Sequence, residues 1–77
     1  MITDRQFSQM VSLKVPHAVM EITKRLAIPY SEAFDMFYDS ETYRLLSDKD
    51  TYYWGESALF VADSFLREHE GLPIEEF

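Results

Sequence analysis

The chain has 77 residues, a mass of 9.1 kDa, no Cys and a formal charge of −7 from 14 acidic and 7 basic side chains. This is room for one small domain, and a content of 47% hydrophobic and 16% aromatic residues excludes disorder over most of the length. A pI near 4.5 excludes a sequence-independent nucleic-acid binder, which draws its affinity from Lys and Arg set against phosphates, so no direct nucleic-acid binding is expected.

Met1 leads into Asp4 and Arg5 rather than into a basic segment followed by an apolar run. Nowhere do the ~20 apolar residues of a membrane span stand together, so a cytoplasmic protein is expected. From Phe7 onward Met10, Val11, Val15, Ala18, Val19, Ile22 and Leu26 recur every three or four positions, the period of one helical face. A long first helix follows, with Thr3 or Asp4 as its N-cap. Pro16 removes one backbone hydrogen bond inside this pattern and crowds the preceding turn. Because the apolar phase is unbroken across it, the spacing predicts a kink rather than a split.

Pro29 biases Ile28 away from helical angles and is suited to open a second helix, which is expected to start between Pro29 and Ser31. Ala33, Phe34, Phe37 and Tyr38 form its apolar stripe, with Glu32, Asp35 and Asp39 opposite. Ser40 reads as the N-cap of a short helix carrying Tyr43, Leu45 and Leu46, unless the chain runs on without a break. Ser47, followed three residues later by Asp50, resembles a cap for one short turn, and Gly55 is placed to close that turn in a left-handed conformation. Ser57 is the next N-cap. Ala58, Val61, Ala62, Phe65 and Leu66 then repeat at helical spacing until Gly71 and Pro73 end the helix. No run of alternating β-branched residues and no internal repeat occurs. The expected fold is all-α, a small bundle of three to five helices with a long, Pro-kinked first helix. Residues 1–70 form its single domain and residues 71–77 a C-terminal tail.

Charge is uneven: residues 1–30 hold four bases and two acids, net +2, whereas residues 31–77 hold three bases and twelve acids, net −9. Each helix showing water an ordinary charged face accounts for this; so does an acidic surface that steers the chain toward a basic partner. Tyr52, Tyr53 and Trp54 cannot all face inward on one turn, because successive residues of a helix point about 100° apart. Trp and Tyr dominate interface energetics, so this segment, with Asp48, Asp50 and Glu56 around it, is the candidate partner-binding site. The alternative is that Trp54 and one Tyr plug the end of the bundle.

Asp48 and Asp50 begin like a calcium loop, but the sixth position is Tyr53 and the twelfth Leu59, where Gly and Glu are required. His17 and Glu21 lie one helical turn apart, and two ligands make no metal site. There is no Cys nucleophile, no Gly-x-Ser-x-Gly and no phosphate loop, so neither enzymatic activity nor a cofactor is expected.

The run Ala33-Phe34-Asp35-Met36-Phe37-Tyr38-Asp39-Ser40-Glu41-Thr42-Tyr43, continued by Leu45-Leu46, Asp48, Thr51, Trp54 and Ser57, resembles a group of very short uncharacterised bacterial proteins. These share Ala, then Phe-Tyr-x-Ser-x-x-Tyr-x-x-Leu, then Asp, Thr, an aromatic residue and Ser. The similarity spans residues 28–68, and Pro29 stands where the pattern leads one to expect Ser or Thr. Members of the group resemble accessory genes of toxin and antitoxin type, which implies a binding protein without naming its target.

A chain of this size buries only about 60% of the surface its unfolded form exposes, and this one has neither disulfide nor metal cluster to add stability. Self-association or an obligate protein partner is therefore expected. The function these residues point to is a small acidic protein–protein interaction module, antitoxin-like or adaptor. The alternatives are a structural homo-oligomer, or a nucleic-acid mimic that inhibits a basic partner.

Overall fold

The first helix, α1, runs Asp4–Leu26 in the computed structural model, which describes residues 2–72. Its start is a capping box: the Thr3 hydroxyl accepts the Gln6 N–H at 3.1 Å, and Gln6 Oε1 accepts the Thr3 N–H at 3.0 Å. Thr3, not Asp4, is the cap, and Asp4 lies in the first turn at the positive end of the helix dipole. Pro16 lies inside the helix without splitting it. The helix ends at Ala27, whose φ of 56° is left-handed and whose N–H donates to the Thr23 carbonyl at 2.9 Å. A non-Gly residue in that conformation costs about 1–2 kcal/mol.

The second helix, α2, runs Tyr30–Tyr38. Pro29 occupies its N-cap position without any side-chain hydrogen bond, so the fixed φ of the ring, −62°, starts the helix in place of a hydroxyl. At the next corner Ser40 breaks the chain as expected: its hydroxyl accepts the Tyr43 N–H at 3.0 Å and opens α3, Glu41–Leu46. Two single 3₁₀ turns follow, Lys49–Thr51 and Tyr53–Gly55. The first is capped by Asp48, which accepts the Asp50 N–H at 3.0 Å, and not by Ser47. Nor does Gly55 supply the left-handed residue. Tyr52 does, with φ 64° and ψ 4°, because the reversal is needed between the two turns and not after them.

The last helix, α4, runs Ala58–His69, with the Ser57 hydroxyl accepting the Phe60 N–H at 3.0 Å. Its end is a Schellman motif: Gly71 at φ 78° donates to the Glu68 carbonyl at 3.0 Å, and the Leu72 N–H to the Arg67 carbonyl at 2.8 Å. Residues 73–77, which hold most of the expected tail, lie outside the described residues.

The core takes Ala18, Val19 and Ile22 from α1, Ala33 and Phe37 from α2, and Leu45 and Leu46 from α3. Tyr53 and, from α4, Val61, Ala62 and Phe65 complete it. Every fully buried residue of α1 lies after Pro16, whereas Phe7, Met10, Val11 and Val15 before it are only half-buried. The N-terminal half of α1 therefore reaches beyond the core along a molecule 37 Å long and 18 Å across at its narrowest.

A carboxylate locks the last helix to the third. Glu68, on α4, accepts the Glu41 N–H at 2.8 Å, the Thr42 N–H at 2.9 Å and the Thr42 hydroxyl at 2.8 Å. It satisfies two of the free donors at the N-terminus of α3 and the one hydroxyl that α3 buries. Charge-assisted bonds of this kind contribute about 1.5–3 kcal/mol. Glu68→Gln, which replaces an acceptor by an NH₂ facing a donor, is expected to lower urea-unfolding stability by about 1–3 kcal/mol and Glu68→Ala by at least as much. Pro16→Ala restores a backbone donor in an unbroken helix and is expected to raise stability by about 1–3 kcal/mol, with a gain in helical circular dichroism.

Candidate protein-binding surface

The segment from Asp48 to Glu56 is short, and its two 3₁₀ turns send neighbouring aromatic side chains in different directions. Tyr53 is fully buried, its ring edge-on to Phe60 at 5.6 Å and its hydroxyl 3.5 Å from Ser64, so it contributes no surface. Trp54 is half-buried. Its indole N–H donates to the Lys49 carbonyl at 2.7 Å, and its ring stands at 85° to Phe7, centroids 6.1 Å apart. Tyr52 is 63% exposed and lies beside Trp54 at 6.3 Å. The left-handed backbone of Tyr52 turns its side chain out while its neighbour goes in. Of the acids expected around this segment, Asp50 is exposed and makes no side-chain ion pair among the described residues, whereas Asp48 serves as the turn's cap.

Four contacts tie this segment to the N-terminal half of α1. Trp54 packs on Phe7; Lys49 lies 5.9 Å above the Phe7 ring and bonds the Asp4 carboxylate; and Lys14 donates to the Glu56 carbonyl. The hydrogen bond from Lys49, reinforced by its charge, holds the Asp4 carboxyl below the usual carboxylate range. The folded form therefore favours the charged carboxylate. The tether is whole above the ordinary aspartate range and is lost as pH falls through the lowered value.

A second aromatic surface was not visible in the hydropathy pattern. Tyr30, Phe34 and Tyr38 form a row along α2, with centroids 6.4 and 5.8 Å apart and rings within 26° of parallel, and Tyr43 of α3 extends it at 4.6 Å from Tyr38. The single stripe expected on α2 is in fact two rows: Ala33 and Phe37 enter the core, while Tyr38 is 56% exposed. The i, i+4, i+8 spacing of Tyr30, Phe34 and Tyr38, one position behind Ala33 and Phe37, is the signal that separates them. The stacked row forms one wall of a groove whose other wall is Val11, Ser12, Val15 and Pro16 of α1.

Among the described residues no three His, Asp or Glu side chains converge as a metal site, and Glu21 pairs with Arg25 at 3.2 Å rather than with His17. No helix among them is long and apolar enough to cross a membrane. Comparison of the chain with protein-family models, with curated proteins and with solved structures gives no match.

The different burial of adjacent tyrosines gives a direct test. Tyr53→Ala is expected to lower unfolding stability by about 3–5 kcal/mol, as loss of a buried aromatic ring does, and Tyr52→Ala to change it by no more than about 0.5 kcal/mol. Chemical denaturation of the two variants side by side checks both values.

Proposed function

We propose that this chain is a small acidic protein–protein interaction module, of antitoxin or adaptor kind, that engages its partner through Tyr52 and the exposed edge of Trp54, with Asp50 beside them. The observation that carries this reading is the backbone of Tyr52. A bulky residue sits at φ 64°, where glycine is favoured, yet its ring is mostly in water and adds nothing to the core. Holding a non-Gly residue there costs about 1–2 kcal/mol. Residues kept in unfavourable conformations gather at sites where the side chain serves function rather than fold. A tyrosine offered on a fixed turn, backed by a half-buried tryptophan that is itself hydrogen-bonded, has the rigidity of an interface anchor. The net charge of −9 over residues 31–77 supports a partner with a basic contact surface.

Tyr52→Gly separates the two roles, because it relieves the backbone while removing the ring. It is expected to leave unfolding stability unchanged or up to about 1 kcal/mol higher, and to weaken partner binding about thirtyfold, the equivalent of about 2 kcal/mol. The measurement is affinity capture from cells of the source organism with wild type and variant as paired baits, then titration of any protein that the wild type alone retains. A partner held equally by both baits removes Tyr52 from the site.

A further inference from the structure

The part of α1 that follows Arg5 and the aromatic row of α2 flank a groove that no charged side chain enters, unusual in a molecule of net charge −7. Between Gln6 and Thr23 the only charged side chains of α1 are Lys14 and Glu21, and both are engaged elsewhere, with Glu56 and Arg25. None of the residues lining the groove between α1 and α2 is charged. Leu13, one helical turn from Gln9 and Pro16, is 70% exposed, and Tyr30, which lines the groove, is exposed as well. The same half of α1 has no fully buried residue.

We infer that this face is the contact between two copies of the chain, with Leu13 and the Tyr30–Phe34–Tyr38 row of each copy packed against the α1–α2 groove of the other. Charge selects the occupant. A basic partner gains nothing from a neutral groove when acids are available on other faces, whereas two copies of net charge −7 repel least where neither presents a charge. A two-fold contact needs a patch that complements itself, and an uncharged row lying beside an uncharged groove does so.

The area is sufficient for a weak dimer. The N-terminal half of α1 is about 18 Å long and the α2 row about 13 Å, each about 10 Å wide, which gives roughly 600 Å² of flat projection for the pair and more as accessible surface. That lies at the low end of specific interfaces, where association is transient.

Sedimentation equilibrium from 10 μM to 1 mM tests the proposal. The expected mass rises from 9.1 kDa toward twice that value with concentration. Association should strengthen roughly threefold or more as NaCl goes from 50 to 500 mM, because salt screens repulsion between like-charged copies. Leu13→Glu and Tyr38→Glu are expected to remain at 9.1 kDa at 1 mM with wild-type circular dichroism, and Ser12→Glu serves in place of either one that fails to fold. Tyr52→Gly is expected to dimerise like the wild type, which keeps this contact distinct from the partner site. A wild type that is monomeric at 1 mM overturns the inference, even if the groove then proves to hold a different protein. So does a dimer that survives the introduced charges, or one that weakens as salt is added.

Discussion

One carboxylate, on Glu68, closes the stretch of chain between residues 41 and 68 into a ring. It meets the start of α3 with two backbone donors and a buried hydroxyl, so the last helix cannot shift along the third without leaving those donors unpaired. Everything between is positioned by that clasp. Leu45 and Leu46 are directed into the core, Tyr43 is held against Phe37 and Tyr38, and the chain has eleven residues, Ser47 to Ser57, in which to reverse. Two 3₁₀ turns accomplish this reversal, and they turn a consecutive Tyr-Tyr-Trp run into one core residue, one half-buried support and one exposed ring.

Helix existence was legible in the sequence because it depends on local chemistry. The caps at Thr3, Ser40 and Ser57 and the stop at Gly71 each act within four residues of themselves, and a 3.6-residue apolar period marks the helices between them. What was not legible depends on distant partners. Glu68 looks like any solvated acid until α3 is brought beside it. The left-handed residue was sought at Gly55, where it is cheapest, and lies at Tyr52, where the path between two turns requires it. The aromatic row on α2 merges with the core stripe when only hydropathy is counted, since the two rows differ by one position and only the i, i+4, i+8 spacing of the aromatic residues separates them.

The surface divides along the same lines. Among the described residues the acids with neither a side-chain ion pair nor a side-chain hydrogen bond are Glu32, Asp35, Asp39, Asp50, Glu56 and Glu70, the first four on α2, the corner after it and the first 3₁₀ turn, whereas Ser8, Gln9, Ser12 and Leu13 of α1 present amide, hydroxyl and aliphatic side chains. Neutral and acidic patches thus lie on different parts of the surface, with α2 contributing to both. A substitution that charges one face leaves the other intact, which lets the two kinds of contact be altered independently.

Pro16 also has a dynamic consequence. It removes one link from the α1 hydrogen-bond ladder at the point where burial changes, with Ala18, Val19 and Ile22 under the core on one side and half-covered Phe7, Met10, Val11 and Val15 on the other. Segments with few buried apolar contacts open at lower free energy than the core. Backbone amides of residues 5–15 are therefore expected to exchange with solvent by local opening, and those of 18–26 only by more extensive unfolding. The Trp54–Phe7 and Lys49–Asp4 contacts hold this half of α1 and would have to break, or move with it, in such an opening. A ligand seated on Trp54 would register in the exchange rates of a helix it never touches.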